Sequence, residues 1–247
     1  MRSVHWLRNA LVATSIIAIS GGGGVTLAAD CPAPVQVRVP LPPPPPLNLD
    51  TIKDMLLDYH DKYYDDDVAA VFESARGFVE QRSGQSRRPA LVLDIDETSL
   101  TNWPNLLADN FGFIADGPCN RLPAGPCGFN DWILRSAAAA FPPALKLFNA
   151  AKAHGVAVIF ITGRPDKQRE ATLWNLDRAG FEGWAKLVTR PDRDNFPTVQ
   201  AYKTAERARI EAEGYTIIAS VGDQESDLAG GHAECTFKVP NPFYFIP

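Results

Sequence analysis

The stretch Ala90-Leu-Val-Leu-Asp-Ile-Asp-Glu-Thr98 decides how this chain is read. Leu91, Val92 and Leu93 form a short apolar run of the kind expected for a strand buried on both faces, with Arg87-Arg88-Pro89 before it and polar residues after it. The run gives way to Asp94 and Asp96. Side chains two apart on a strand point the same way, so both carboxylates can face one crevice at the strand's carboxyl end, where open α/β sheets bind ligands. Paired carboxylates repel, and a divalent cation relieves the repulsion. Taken alone, two acids in this place can equally start a turn or cap a helix.

Three later stretches change the balance. The apolar run Val156 to Ile161 ends in Thr162-Gly163-Arg164, where a hydroxyl and exposed amides next to a helix start suit a phosphate group. Lys203, near the start of a charged helix from Gln200 to Glu213, can supply a fixed positive charge. The run Thr216 to Val221 ends in Gly222-Asp223-Gln-Glu-Ser-Asp227, two more acids at a tight turn, suited to an oxygen-ligated magnesium ion. Each piece alone is ordinary turn or surface chemistry. Their order is not.

Around these strand ends the chain alternates. Pro142 to Ala153 reads as a helix closed by Gly155, Pro165 to Ala179 as another closed by Gly180, Ala185 to Val188 as a short strand and Cys235 to Val239 as an edge strand. This rhythm predicts an α/β fold with a doubly wound, mostly parallel sheet and right-handed crossovers. Residues 99–140 interrupt it with Trp103, Phe111, Phe113, Phe129 and Trp132 among many Gly, Pro and Asn. That is too long for a connecting loop, and it reads as a small inserted cap whose helix covers Asn130 to Ala140. The aromatics can form the cap's own core or stack on a substrate ring. Before the first strand lies a helical extension, from Leu47 to about Arg82, read as two helices broken near Tyr64-Asp-Asp-Asp67, with the acidic triplet a solvated helix start.

The ends and the composition bound the setting. Arg2 and Arg8 followed by the apolar Ala10 to Ile19 and the small residues up to Ala29 make residues 1–29 a signal peptide, too short in its core for a stable membrane span once cleaved. The expected destination is the periplasm or the medium. Residues 30–47 read as a proline-rich, extended linker, leaving 48–247 as one domain with its cap at about 99–140. The net charge of −5 gives no footprint for a nucleic acid polymer, though local cations and a metal can still draw a small anion into one cleft. An even count of four cysteines in an exported chain suggests disulfides, with three connectivities open. Cys119 and Cys127 flank a Pro/Gly loop and can close it, which would leave Cys31 for Cys235. No Cys/His spacing suits zinc.

An acid pair, a hydroxyl-glycine turn, a lysine and a second acid pair, in that order, resemble the motifs of the haloacid dehalogenase-like (HAD) superfamily. Asp94-Ile-Asp-Glu-Thr-Ser-Leu-Thr-Asn-Trp-Pro104, Phe160-Ile-Thr-Gly-Arg-Pro165, Gly222-Asp-Gln-Glu-Ser-Asp-Leu228 and Phe237-Lys-Val-Pro-Asn-Pro-Phe-Tyr-Phe-Ile246 are similar to its exported acid phosphatase subfamily IIIB, which includes plant vegetative storage proteins and relatives of bacterial class C acid phosphatases. The resemblance implies a Mg2+-dependent phosphomonoester hydrolase acting on small esters such as nucleotides or sugar phosphates. It implies Asp94 as nucleophile and Asp96 as acid and base, with Thr162, Gly163 and Lys203 on the phosphate. It further implies a metal site built from Asp94, the Asp96 carbonyl and Asp223, with Asp227 in the same site as a ligand or through water. The rival from another class is a non-catalytic storage or binding protein on the same scaffold.

Overall fold

The computed structural model describes residues 30–38 and 47–246; the expected signal segment and the Pro42–Pro46 run lie outside them. The centre is β1 (Pro89–Leu93), flanked in a five-stranded parallel sheet by β4 (Ala157–Pro165) and β5 (Lys186–Arg190) on one side and by β6 (Thr216–Gly222) and β7 (Cys235–Lys238) on the other. β7 is the edge strand that its short alternating pattern predicts. Alternate residues of β1 serve opposite faces. Leu91 and Leu93 join a core with Phe72, Val79, Leu147 and Phe148 of α2 (Asp65–Ser83) and α5 (Pro142–Ala153). Ala90 and Val92 pack with Tyr202 and Ile210 of α7 (Val199–Ala212). Helices thus cover both faces, which is why the strands are apolar throughout.

Register brings the polar ends level. Leu93 pairs with Phe160 of β4 and with Val221 of β6, and the Asp94 amide donates to the Val221 carbonyl at 3.0 Å. Asp94, Thr162 and Asp223 therefore leave the sheet along one edge. β4 does not stop at Ile161 as its apolar run suggests. It continues through Thr162–Arg164 as an irregularity and pairs again at Pro165 with Arg190. α6 consequently begins only at Arg169, after a 3-10 turn over Asp166–Gln168, and ends at Arg178.

The segment after β1 is closed at its neck. β2 (Leu100–Thr101) pairs antiparallel with β3 (Ala139–Ala140), and the Phe141 amide donates to the Ser99 carbonyl at 3.0 Å. Between them lie α3 (Trp103–Ala108), a loop clipped by the Cys119–Cys127 disulfide, and α4 (Phe129–Leu134). The expected helix over Asn130–Ala140 is thus shorter at its end. Ser136 turns at φ 50°, and Asn175 holds both the amide and the carbonyl of Ala138 (3.2 and 2.7 Å), so the alanine run is spent on backbone pairing.

The N-terminal extension also differs from its reading. α1 (Leu49–Tyr59) and α2 are joined by a π-helical turn, His60–Tyr64, rather than separated by a break. The extra residue per turn rotates Tyr59 and Tyr64 inward, where both are buried. Asp65 and Asp66 are solvated, but Asp67 is buried and accepts from Tyr59 Oη at 3.1 Å and from Arg38 Nε at 2.9 Å. A second disulfide, Cys31–Cys235, ties the segment before this extension to β7.

Candidate active site

Four buried ionisable side chains meet where β1 and β6 end. Lys203, from the second turn of α7, donates to Asp94 Oδ1 at 2.6 Å and to Asp227 Oδ1. α7 is aimed there by its cap: Thr198 Oγ1 accepts from the Ala201 amide at 3.0 Å. Carboxylate oxygens of Asp94, Asp223 and Asp227 all lie within 4.8 Å of one another. Gly222 makes this approach possible, because a Cβ there would stand 2.2 Å from Asp227 Cβ. α8 (Glu225–Leu228) is held on this turn by a capping box, with the Gln224 amide donating to Asp227 Oδ2 at 2.8 Å.

Asp96 faces a different partner. Arg164 meets it with Nη2 on Oδ1 at 2.7 Å and Nε on Oδ2 at 3.1 Å, and Asn102 Nδ2 adds a bond to Oδ1 at 2.9 Å. The Asn102 amide is oriented from the cap, because Trp132 Nε1 can only donate and takes its Oδ1 at 2.7 Å. The Asp96 carboxylate therefore stands outside the three-acid group, which leaves only its main-chain carbonyl for a role in holding a metal. Thr162 is fully buried, its hydroxyl accepting from the Arg164 amide at 3.1 Å, whereas Gly163 is exposed and lines the cavity.

The charges explain their own titration. Burial pushes the Asp94 carboxyl well up, Asp227 adds to that, and Lys203 opposes it. Burial, with Asp227 beside it, raises Asp223 to about 6. Burial alone would raise Asp96 as well, but Arg164 more than offsets it and holds Asp96 below the usual carboxylate range. Burial lowers the Lys203 ammonium, and Asp227 and Asp94 overturn that, leaving its pKa raised. The cluster of Asp94, Asp96, Asp223 and Asp227 exceeds Lys203 and Arg164 by two negative charges in a water-poor place. That deficit fits a divalent cation. Among the described residues Asp94 Oδ2 has no donor and Asp223 Oδ1 only a long contact from Thr98 Oγ1 at 3.3 Å, so these two oxygens are available to one.

Several site residues lie in the quoted stretches without a role assigned there. Glu97 is buried at φ 48° and accepts from the amide and Nδ2 of Asn102 and from Tyr244 Oη at 2.9 Å; burial next to Asp96 lifts its pKa to about 8. Arg164, Asn102 and Tyr244 line the same cavity as the acids, a space of about 410 Å³. Its outer walls are apolar, with Phe111, Phe113 and Phe129 from the cap and Phe245 from the C-terminal tail. Arg164 was legible as a residue after Thr-Gly, but nothing in a one-dimensional pattern pairs it with Asp96.

Known proteins resemble the chain in sequence and in fold. The chain is 35% identical over 162 residues to the stem 28 kDa glycoprotein of Glycine max and 34% identical over 164 residues to acid phosphatase 1 of Solanum lycopersicum. These alignments cover 64% and 66% of this chain, and the chain spans only about six-tenths of those relatives, 61% of each. The structure of the class C acid phosphatase from Bacillus anthracis with tungstate bound superposes with a TM-score of 0.61, covering 80% of this chain and 86% of that one at 19% identity, a likeness of fold. The family description matching residues 47–247 is HAD superfamily, subfamily IIIB (Acid phosphatase), and to that family the chain belongs.

Proposed function

We propose that the protein is a Mg2+-dependent phosphomonoesterase working through a phosphorylated Asp94, on small esters such as nucleotides or sugar phosphates. The observation that carries this reading is the meeting of Asp94, Lys203, Asp223 and Asp227, the first three of which line one cavity. A carboxylate oxygen of Asp94 attacks phosphorus while the bond to the leaving oxygen breaks, and Asp96, once protonated against the pull of Arg164, gives that oxygen its proton. Asp96 then takes a proton from the water that displaces Asp94, releasing orthophosphate. Lys203 fixes Asp94 by Oδ1 and neutralises charge shared with the phosphoryl group. Gly163, exposed and without a Cβ, lets that group approach the main chain at the irregular end of β4, and Thr162 supports the turn from below. Asp94, Asp223, Asp227 and the Asp96 carbonyl would hold the cation, whose charge favours ionised Asp94 and stabilises the phosphoryl oxygens.

A cavity of about 410 Å³ is of a size for one small ester. Two disulfides support export to an oxidising compartment, and no helix among the described residues is long and apolar enough to cross a membrane. The deciding experiment is turnover of a generic phosphomonoester by wild type and Asp94→Asn, each with Mg2+ and with chelator. Wild type should be active only with the metal, and Asp94→Asn should be inactive with an unchanged circular dichroism spectrum. Turnover by Asp94→Asn at the wild-type rate would end the proposal, and a storage protein would show none in either form.

A further inference from the structure

The C-terminal stretch after β7 is built into the acid site. Asp223 Oδ2 accepts two amide donors, Asn241 Nδ2 at 2.7 Å and Gln224 Nε2 at 2.6 Å. An amide side chain can turn either its nitrogen or its oxygen towards a neighbour, and a carboxylate accepts only, so what orients these two amides matters. In both cases the orienting group is a main-chain N–H of the tail. The Phe243 amide donates to Asn241 Oδ1 at 3.0 Å, and the Ile246 amide donates to Gln224 Oε1 at 3.2 Å. Lys238 Nζ also donates to the Asp223 carbonyl, and the Val239 amide to the Gly222 carbonyl at 2.8 Å. The tail is itself anchored by Phe243, which is buried against Trp103 and Tyr64 with ring centroids 5.0 and 5.1 Å away.

We infer that the tail residues 238–246 are a positioning clamp, with Asn241 its principal residue, that saturates one oxygen of Asp223 and thereby presents the other, Oδ1, to a divalent cation. The inference rests on the cation site proposed above. Its physical basis is that a carboxylate free to rotate loses affinity in holding a metal, whereas one locked by outer hydrogen bonds does not. Asn241 touches neither the phosphoryl group nor the reacting atoms in this scheme. It acts through Asp223.

The test is titration calorimetry of Mg2+ alone into the full chain, with no substrate, for wild type, Asn241→Leu and Ile246→Pro. Asn241→Leu removes the amide donor. Ile246→Pro removes only the N–H that orients Gln224, at the far end of the tail, and guards against a folding defect in the first variant. Asn241→Leu should weaken Mg2+ binding by about 10–100-fold, and Ile246→Pro by a smaller factor in the same direction. The metal-free melting temperatures should stay close to wild type. The Mg2+ concentration for half-maximal turnover should rise in step, with turnover at saturating Mg2+ returning towards wild type. Equal Mg2+ affinity in wild type and both variants would overturn the clamp while leaving the proposed function intact. A wild type that binds no Mg2+ would overturn both, and a loss of turnover that excess Mg2+ does not restore would overturn the positioning role.

Discussion

Arg164 and Asp96 are an ion pair whose side chains are only 2% and 16% exposed, and each is expected to be costly to leave alone. Arg164→Met leaves the Asp96 carboxylate with Asn102 as its only donor among the described residues, and deleting one partner of a buried pair costs about 3–5 kcal/mol. Denaturant unfolding should show that loss, and turnover should fall with it because Asp96 is no longer held. Gly222→Ala is the complementary steric case. Its Cβ would overlap Asp227, and forcing extra volume into a packed site costs about 1–3 kcal/mol. Thermal melting should register that, together with weakened Mg2+ binding. At this scale the candidate residues were readable from the sequence where an acid, a hydroxyl or a lysine follows an apolar strand. Arg164, Asn102, Glu97 and Tyr244 stand in the quoted stretches, but their partners were not readable. Their importance lies in hydrogen bonds that join positions as far apart as Glu97 and Tyr244, and no local pattern records them.

Among the elements, the parallel sheet was the most legible part, since unbroken apolar runs alternating with helical periods admit few arrangements. The π-helical turn at His60–Tyr64 escaped because a single inserted residue leaves hydrophobic periodicity almost intact while rotating everything after it. The end of α4 escaped because alanine favours helix, yet Asn175 and β2 claim the alanine backbone. The extension, the cap and the tail meet in one aromatic cluster of His60, Tyr64, Trp103, Phe111 and Phe243, with the His60 and Trp103 rings stacked 3.5 Å apart. Phe243→Ala empties its centre and should cost about 3–5 kcal/mol by denaturant unfolding. The cap loop has a covalent restraint of its own. Replacing Cys119 and Cys127 together by serine should lower stability by about 2–3 kcal/mol, the loop-closure entropy of a short ring. Mass mapping without reductant should find Cys119 joined to Cys127 and Cys31 to Cys235.

For the molecule as a whole, the buried acids set an unusual dependence on pH. In metal-free protein Asp223 and Glu97 have pKa values raised to about 6 and about 8, from ordinary values of 3.8 and 4.5, and Asp94 is raised in the same sense. A raised acid adds stability below its unfolded value, and that stability is lost as pH rises through the folded value. The chelated protein should therefore melt higher near pH 5 than near pH 8. His60, held below 6.5 by burial, works against this on the acid side but is a single group. Mg2+ should flatten the profile by stabilising ionised Asp94 and Asp223. A chelated protein that melts lower at pH 5 than at pH 8 would contradict the account.

The side-by-side placement of β1 and β6 has a consequence for biosynthesis. Asp94 waits 109 positions for Lys203, and Thr98 waits 125 for Asp223. Synthesis therefore cannot bring Asp94, Lys203 and Asp223 together until β6 has been made. If the proposed function holds, a chain that ends before Asp223 would have no assembled site for a phosphate ester.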